Sequence, residues 1–304
     1  MSEKSQSRAM LLGLSAVLLW STVATAFKLS LQVMTPLQLL AWSSLVSTLV
    51  LAICVSWQGR WHEVLQQGRK RSGLYLLLGA LNPALYYLVL FRAYDLLPAQ
   101  QAQALNYTWA LTLSLLAVPL LKQRLRRLDL LAMMLGYFGA LVIATRGQLL
   151  SLQFDSVPGV ALALGSTLIW ALYWILNTRA EGAPTVSLLL CFLYGTPLVW
   201  GLMLWQSGGH WPGLQGLLGA LWVGVFEMGL TFMLWLGAMR AATHVSRVSN
   251  LIFLSPFLSL VFIYLFLHEP IAPATFVGLA LIVAAVLLQQ RARRLEPAPT
   301  PEQD

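Results

Sequence analysis

The sequence predicts an all-α integral membrane protein in which ten transmembrane helices form two inverted five-helix repeats, with both termini in the cytoplasm. Three observations lead to this prediction. Only 10% of the residues are charged, against about 25% in a typical soluble domain. Ten apolar runs are long enough to cross a bilayer, which takes about 20 residues each. The two halves of the chain also resemble each other.

The ten runs are separated by short polar stretches or by breaks that contain Pro or Gly, and they leave almost nothing for a soluble domain. The segment that begins at Arg291 is basic and then acidic, so residues 292–304 are predicted to be a disordered tail. The predicted spans 1 to 10 cover residues 9–30, 36–57, 73–94, 98–121, 129–146, 157–178, 184–206, 213–239, 244–267 and 272–290.

Basic residues test the predicted orientation, because Lys and Arg accumulate in short cytoplasmic loops. With the N-terminus inside, only Lys28, Arg92 and Arg146 of the 19 Lys and Arg residues fall outside. The net charge of +8 therefore follows from topology, and the basic residues are too dispersed for a nucleic-acid site. One alternative for the first span is a cleavable signal peptide, since a basic start and an apolar run precede Ala-Thr-Ala at 24–26.

The internal repeat appears when the halves are aligned by eye. LSAVLLW at 14–20 matches LGSTLIW at 164–170, and GALNPALYYLVLFRA at 79–93 matches GVFEMGLTFMLWLGA at 224–238. The second match pairs Asn82 of span 3 with Glu227 of span 8.

The repeat predicts two domains, 8–146 and 156–291. Because each contains five crossings, an odd number, the second copy enters the membrane upside down relative to the first. Inverted repeats can exchange conformations and open a site at the midplane to either side in turn, which predicts alternating access. A duplicated scaffold without transport is the alternative.

Glu227 is the only charged residue between Trp211 and Met239, and it lies near the middle of its span. A charged side chain at the centre of a membrane helix costs about 2.5 to 3.5 kcal/mol, so it should face protein or water. Either Glu227 meets a cationic group of a substrate or a proton, or it is a hydrogen-bonded carboxyl that fastens two helices. Helical periodicity places it on one face with small and polar residues: Ala220, Gly224, Thr231 and Ala238.

Further polar and aromatic residues inside the spans are candidates to line a substrate site. Asn82 precedes Pro83, which interrupts span 3 near its centre, and Gly229 can loosen span 8 at the matching place. For the polar residues, hydrogen bonds between helices are an alternative, and for the aromatic residues of span 6 core packing is one. The other candidates are Gln103, Asn106 and Trp109 in span 4, Tyr86 in span 3, Trp170 and Tyr173 in span 6, and Asn250 in span 9.

Enzyme motifs are missing from the sequence. The four histidines lie in loops or at span ends without metal-ligand spacing, and there is no GxSxG elbow and no Walker A loop. We therefore predict no catalytic residues, no metal site and no cofactor.

Several stretches carry a resemblance to a known family. LLWSTVATAFK at 18–28, LIWALYWIL at 168–176 and LSPFLSLVFIYLFLHEPI at 254–271 resemble the drug/metabolite transporter superfamily, EamA type. The last is the most specific, with a Ser-Pro break, a long apolar run and then Glu269. NYTW at 106–109 is similar to a stretch in bacterial aromatic amino acid exporters of this superfamily.

The resemblance implies a carrier in the bacterial cytoplasmic membrane that moves small metabolites, often amino acids and usually outward. It also implies a central cavity lined by helices that include spans 3, 4, 8 and 9. The expected partners are the lipid bilayer and a zwitterionic or aromatic small molecule, and proton coupling is an open option. The alternatives are a lipid-linked sugar flippase or nucleotide-sugar exchanger of the same superfamily, and a non-transporting scaffold or sensor.

Overall fold

Ten helices are long and apolar enough to cross a membrane in the computed structural model, which describes residues 5–122, 127–207 and 211–294. These described residues contain no β-strand. The observed bounds agree with the predicted spans to within three residues, which confirms the ten predicted helices. Spans 1 to 10 are Gln6–Ser30, Pro36–Trp57, Ser72–Leu96, Ala99–Leu121, Arg127–Ala144, Val157–Asn177, Pro184–Gln206, Gly213–Ala241, Arg247–Leu267 and Pro273–Gln290.

Local sequence explains where several spans begin. Thr35 caps span 2 in a reciprocal capping box with Gln38, and Pro36 occupies the first helical turn, where its missing N–H is not needed. Ser156 caps span 6 by accepting a hydrogen bond from the Gly159 N–H at 3.1 Å. At these two starts, the residue before the helix supplies the acceptor that the first turn needs.

Hydroxyl groups inside the spans are largely satisfied by their own helix. Ser21 donates to the Val17 carbonyl and Ser43 to the Leu39 carbonyl, both at 2.6 Å. These bonds are favoured because hydrocarbon offers a hydroxyl no water as an alternative partner.

Four of the ten spans are broken into shorter helices, and the other six are continuous. Span 3 consists of Ser72–Gly79, a π-helical turn Ala80–Leu85 and Tyr86–Leu96, and span 8 of Gly213–Trp222, a π-helical turn Val223–Glu227 and Leu230–Ala241. Span 4 divides into Ala99–Asn106 and Trp109–Leu121, and span 9 into Val245–Ser249, a 3-10 turn Asn250–Leu254 and Ser255–Leu267. The broken spans are the four that the resemblance implies as cavity lining, and spans 3 and 8 and spans 4 and 9 are matching pairs of the predicted repeat.

The breaks in spans 3 and 8 lie where the sequence predicted them. Asn82 has non-helical backbone angles (φ −140°, ψ 113°) and is joined to Pro83 by a cis peptide bond. In span 8 the break runs from the π-helical turn to Gly229 (φ −126°, ψ −93°). A Cβ on Gly229 would lie 3.1 Å from the carbonyl oxygens of Gly224 and Val225, so this close backbone approach favours glycine.

In spans 3 and 8, a glycine beside or at the start of the break lies in close contact with a helix of the other half. A Cβ on Gly79 would lie 2.5 Å from the Cys191 carbonyl oxygen in span 7. A Cβ on Gly224 would lie 2.5 Å from the Ser43 carbonyl oxygen in span 2. Small residues let two helix backbones approach this closely. Spans 3 and 7 and spans 8 and 2 are therefore packed in a corresponding manner.

Two segments differ from the predicted picture. The connection between spans 2 and 3, expected to be a polar break, contains a helix at Trp61–Lys70, in which Val64 is buried while Trp61 and Leu65 are exposed. The last helix continues to Arg294, three residues into the predicted disordered tail, because Gln, Ala and Arg are good helix formers. Lys4, Arg124 and Arg126 of the predicted charge pattern, and tail residues 295–304, lie outside the described residues.

Candidate functional site

The carboxylate of Glu227 lies at the end of the π-helical turn in span 8 and is half-buried. Its Oε1 accepts a hydrogen bond from the Tyr87 hydroxyl of span 3 at 3.2 Å. The break leaves the next carbonyl, that of Met228, without a regular helical partner, and Ser47 of span 2 donates to it at 3.0 Å. Glu227 is therefore held at a helix interruption between the two halves of the chain, with part of its surface accessible.

The predicted small face of span 8 is buried around Glu227. Ala220, Gly224, Thr231 and Ala238 are all buried, while Glu227 itself keeps some exposure. A π-helical turn holds an extra residue compared with an α-helical turn, so it changes the register between these neighbours and Glu227. The small residues meet other helices, whereas the carboxylate meets Tyr87.

An aromatic wall stands beside this carboxylate. The rings of Tyr86 and Trp170 are stacked with centroids 4.5 Å apart, and Trp170 is stacked on Tyr173 at 5.4 Å. Tyr86 also contacts Tyr87 edge to face at 4.8 Å, which connects the wall to the partner of Glu227. Rings in such contacts present flat, polarizable surfaces suited to an aromatic or apolar group.

The three amide side chains predicted for the site differ in their hydrogen bonding. Asn106 donates to Ser166 of span 6 at 3.0 Å and lies 3.5 Å from the Tyr86 hydroxyl, so it fastens spans 3, 4 and 6. Asn82 is buried next to Tyr173, and its Oδ1 has no hydrogen-bond partner among the described residues. Gln103 is also buried, and its Oε1 is unpaired within the same part of the chain. Unpaired buried acceptors are costly, so such atoms favour a ligand or water as the partner.

The structure brings most of the predicted site residues together but not all of them. We name Tyr86, Tyr87, Asn106, Trp170, Tyr173 and Glu227 the central cluster. Asn250 is exposed at the start of the 3-10 turn in span 9, and Trp109 is half-buried at the start of the second helix of span 4. Neither makes a hydrogen bond or ring contact with the central cluster within the described residues, so their roles stay predictions.

Tyr87 is the member of the central cluster that sequence reasoning missed. It follows Tyr86 directly, and only one of the two neighbouring tyrosines was expected to face a site. The repeat offered a partial signal: it pairs Glu227 with Asn82, and Tyr87 lies five residues beyond Asn82 in the same span. Its pairing with Glu227 depends on how spans 3 and 8 cross, which the repeat alone does not specify.

A second polar group, which we name the Glu269 network, lies at one end of the bundle. Glu269 accepts hydrogen bonds from the Ala99 N–H at 3.0 Å, from the Gln100 N–H at 3.4 Å and from Gln100 Nε2 at 2.8 Å, which caps the start of span 4. Gln100 Nε2 also donates to the Pro270 carbonyl at 2.9 Å, and Gln100 Oε1 accepts from the Ala272 N–H and the Thr275 hydroxyl, both at 2.8 Å. Every hydrogen-bonding position of the Gln100 amide is used.

Lys28 lies at the same end. Its Nζ donates to the carbonyls of Tyr94 and Leu97, both at 2.7 Å, so it caps the end of span 3. The side chain is therefore turned toward protein. The residues that the structure describes contain no group of three or more His, Cys, Asp or Glu side chains able to hold a metal ion.

Comparisons with known proteins agree with this architecture. A model of the EamA-like transporter family matches residues 7–145 and again 157–289. Among curated proteins, the chain is 26% identical to the aromatic amino acid exporter YddG of Ancylobacter novellus, over 94% of this chain and 100% of that one. It is 25% identical to the uncharacterized transporter YvbV of Bacillus subtilis, over 95% and 93%. A solved crystal structure matches with a TM-score of 0.66 and 25% identity, over 96% of this chain and 100% of that chain.

Proposed function

Because the chain belongs to the EamA-like transporter family, we propose that it is a secondary exporter of amino acids or related small metabolites. It works in the bacterial cytoplasmic membrane by alternating access between its two halves. The relatives support this setting, since those with transporter or exporter names come from bacteria. The amino acid part of the proposal draws on the name of one relative and on the chemistry of the central cluster.

One observation carries the proposal: a half-buried carboxylate and an aromatic wall meet where broken helices of both halves come together. Helices that are interrupted in matching places of two repeats mark the binding site of many transporters. Glu227 belongs to the broken span 8, Tyr86 and Tyr87 to the broken span 3, and Asn106 to the broken span 4. A site built on such interruptions is exposed to one side or the other when the halves move.

The chemistry of the central cluster fits a zwitterion with an apolar or aromatic side chain. Glu227 is placed to bind an ammonium group, because it receives only the hydrogen bond from Tyr87 within the described residues. Asn82 of span 3 and Gln103 of span 4 each keep an unpaired buried acceptor atom, and their amides can also donate to a substrate carboxylate. Trp170 and Tyr173 then contact the substrate side chain.

Proton coupling follows from the same carboxylate. Glu227 has no cationic partner among the described residues, so its carboxylate is open to either a proton or a substrate ammonium. Competition between the two lets proton entry drive substrate exit.

The inverted repeat, with domains at 8–146 and 156–291 and both termini in the cytoplasm, is part of this proposal. The corresponding glycine contacts of spans 3 and 8 support it, as do the paired breaks and the two matches to the family model. In this orientation the Glu269 network lies at the outer end, together with Lys28, Arg92 and Arg146.

A flippase for lipid-linked sugars or a nucleotide-sugar exchanger would need basic groups near the site to bind phosphate. Lys28 is used at the end of span 3, and Arg92 and Arg146 are ion-paired with Asp95 and Asp155 at the span ends. No described Lys or Arg contacts the central cluster by a hydrogen bond or ion pair. This favours amino acid export over the phosphate-bearing alternatives.

Counterflow in proteoliposomes tests the proposal. Purified protein is reconstituted with unlabelled phenylalanine, tryptophan, leucine or lysine inside, and uptake of the same radiolabelled solute is followed. We expect accumulation for at least one of the four, and loss of that signal in Glu227→Gln. Glu181→Gln is the matched control, since Glu181 is an exposed carboxylate paired with Arg71 far from the cluster. Absence of counterflow for every solute would contradict transport of amino acids and favour a scaffold or sensor.

A further inference from the structure

A separate cavity of about 490 Å³ lies between span 1, the first part of span 8 and the second part of span 9. This volume is in the range of ligand-binding pockets, about 300 to 1,000 Å³. None of the residues of the central cluster lines it. Three of its lining side chains, Leu29, Trp222 and Phe266, are 37%, 40% and 59% exposed, so the cavity is a groove with an open apolar mouth.

Most hydroxyl groups that line this groove are already hydrogen-bonded within the protein. The Thr22 hydroxyl donates to the Leu19 carbonyl at 2.7 Å and accepts from Trp222 Nε1 at 3.0 Å. The Ser30 hydroxyl donates to the Ala26 carbonyl at 2.7 Å. Thr25 is the exception, since its buried Oγ1 has no partner within the described residues. Gln215 is exposed, and the remaining lining residues are apolar.

Polar and apolar lining residues lie at different depths along span 8. Gln215 is exposed in the first turn of this helix, where a membrane span meets the interface. Trp222 lies seven residues further, about 10 Å deeper at 1.5 Å per residue. A molecule with a polar end at Gln215 and a hydrocarbon body beside Trp222 and Phe266 would match this gradient.

We infer that the groove binds one acyl chain of a bilayer phospholipid, with the ester region of the lipid at Gln215. The groove opens between exposed apolar side chains of candidate membrane spans, Leu29, Trp222 and Phe266, so a phospholipid chain in the surrounding bilayer can reach it without crossing water. Burial of a chain among Leu29, Trp222 and Phe266 replaces loose lipid packing by close contacts with protein. The site is formed by span 1 and by two of the broken spans, and it stands whether or not the chain transports amino acids.

Native mass spectrometry tests this site. The protein is transferred from nanodiscs of 1-palmitoyl-2-oleoyl phosphatidylethanolamine and phosphatidylglycerol into mild detergent, and phospholipids that stay bound are counted. We expect one retained phospholipid on the wild type and at least a tenfold lower occupancy in Ala26→Trp and in Leu29→Trp, which fill the groove. Leu218→Trp is the control, because Leu218 is 58% exposed on span 8 but does not line the groove.

The thermal midpoint of each variant shows whether it is folded, and Leu29→Trp, at the open mouth, is the variant expected to fold if Ala26→Trp does not. Wild-type protein without a retained phospholipid, or equal occupancy in the wild type and in a folded filling variant, would overturn the inference. Thr25→Val distinguishes the occupant. An acyl chain needs no hydroxyl, so occupancy should be unchanged within twofold. A loss of occupancy in this variant would instead show that the occupant is held by a polar group, and would also overturn the inference.

Discussion

The central cluster and the Glu269 network are both polar groups built around a carboxylate in an apolar protein, yet they differ in how their atoms are satisfied. Glu269 receives three hydrogen bonds, and Gln100 beside it uses its whole amide. Glu227 receives one hydrogen bond among the described residues, and Asn82 and Gln103 of the broken spans 3 and 4 each keep an unpaired oxygen. A buried polar group is expected to be paired, so these two oxygens favour a ligand or water as the partner.

The difference indicates a structural role for the Glu269 network and a binding role for the central cluster. Both groups join the two halves of the chain, since Gln100 belongs to the first half and Glu269 to the second, as Tyr87 and Glu227 do. The carboxylate and amide of the Glu269 network are engaged in hydrogen bonds that join span 4 to the start of span 10. The central cluster keeps acceptors and ring faces available. Substitutions of the two carboxylates should therefore have different effects.

The largest effect is expected for Glu227→Gln, which keeps the size of the side chain but removes its charge. Removing one partner of a buried charged pair costs about 2 to 5 kcal/mol, so a loss of about 3 kcal/mol, roughly 100-fold in substrate affinity, is expected. Substrate binding to the detergent-purified protein, measured by calorimetry, checks this. An affinity within threefold of the wild type would contradict the assignment of the ammonium group to Glu227.

Glu269→Gln should instead act on stability. The carboxylate accepts three hydrogen bonds, and bonds to a charged group contribute about 1.5 to 3 kcal/mol each, so a loss of about 2 kcal/mol is expected because the amide keeps some acceptor capacity. Thermal unfolding should show a lower midpoint, while substrate affinity stays within threefold. Glu63→Gln, in a partly exposed pair with Arg60, is the control and should change neither. A Glu269→Gln protein that is as stable as the wild type but binds substrate poorly would reverse the comparison.

Tyr87→Phe tests the single hydrogen bond to Glu227. Removing this hydrogen bond should cost about 1 kcal/mol of substrate binding, so the affinity should fall roughly fivefold. Without the hydroxyl, the carboxylate of Glu227 loses the one hydrogen-bond donor that holds it among the described residues. Calorimetry of substrate binding, as for Glu227→Gln, checks this loss. An affinity equal to that of the wild type would show that Tyr87 does not position Glu227 for the substrate.

The smallest effect is expected for Ser47→Ala, which removes the donor to the Met228 carbonyl. One neutral hydrogen bond contributes about 0.5 to 1.5 kcal/mol to stability, so a modest fall in the thermal midpoint is expected. Substrate affinity should fall about twofold, because the break that positions Glu227 loses one support. Ser21→Ala, whose hydroxyl bonds only within its own helix, should leave affinity unchanged. Equal affinities for the wild type and Ser47→Ala would limit the role of Ser47 to packing.

Much of the fold could be predicted from the sequence because membrane crossing is a local property. Each span is recognised by about 20 consecutive apolar residues, and Thr35, Ser156 and Pro36 mark helix starts by their own chemistry. Glu227 was identified as the important carboxylate for the same reason, since the cost of a charge in hydrocarbon depends on its depth along one helix. The paired breaks at Asn82 and Gly229 were also visible, because Pro and Gly act on their own backbone.

What only the tertiary structure decided is which side chains meet. The contact of Tyr87 with Glu227, the stack of Tyr86 on Trp170 and the cap that Glu269 places on span 4 join residues 140, 84 and 170 positions apart. Such pairs depend on the angles at which helices cross and on the register change at a π-helical turn, and hydropathy along one helix is the same for many such arrangements. The sequence by itself determined ten spans and one carboxylate at depth, whereas helix packing decided that this carboxylate has a tyrosine for a partner and an aromatic wall beside it.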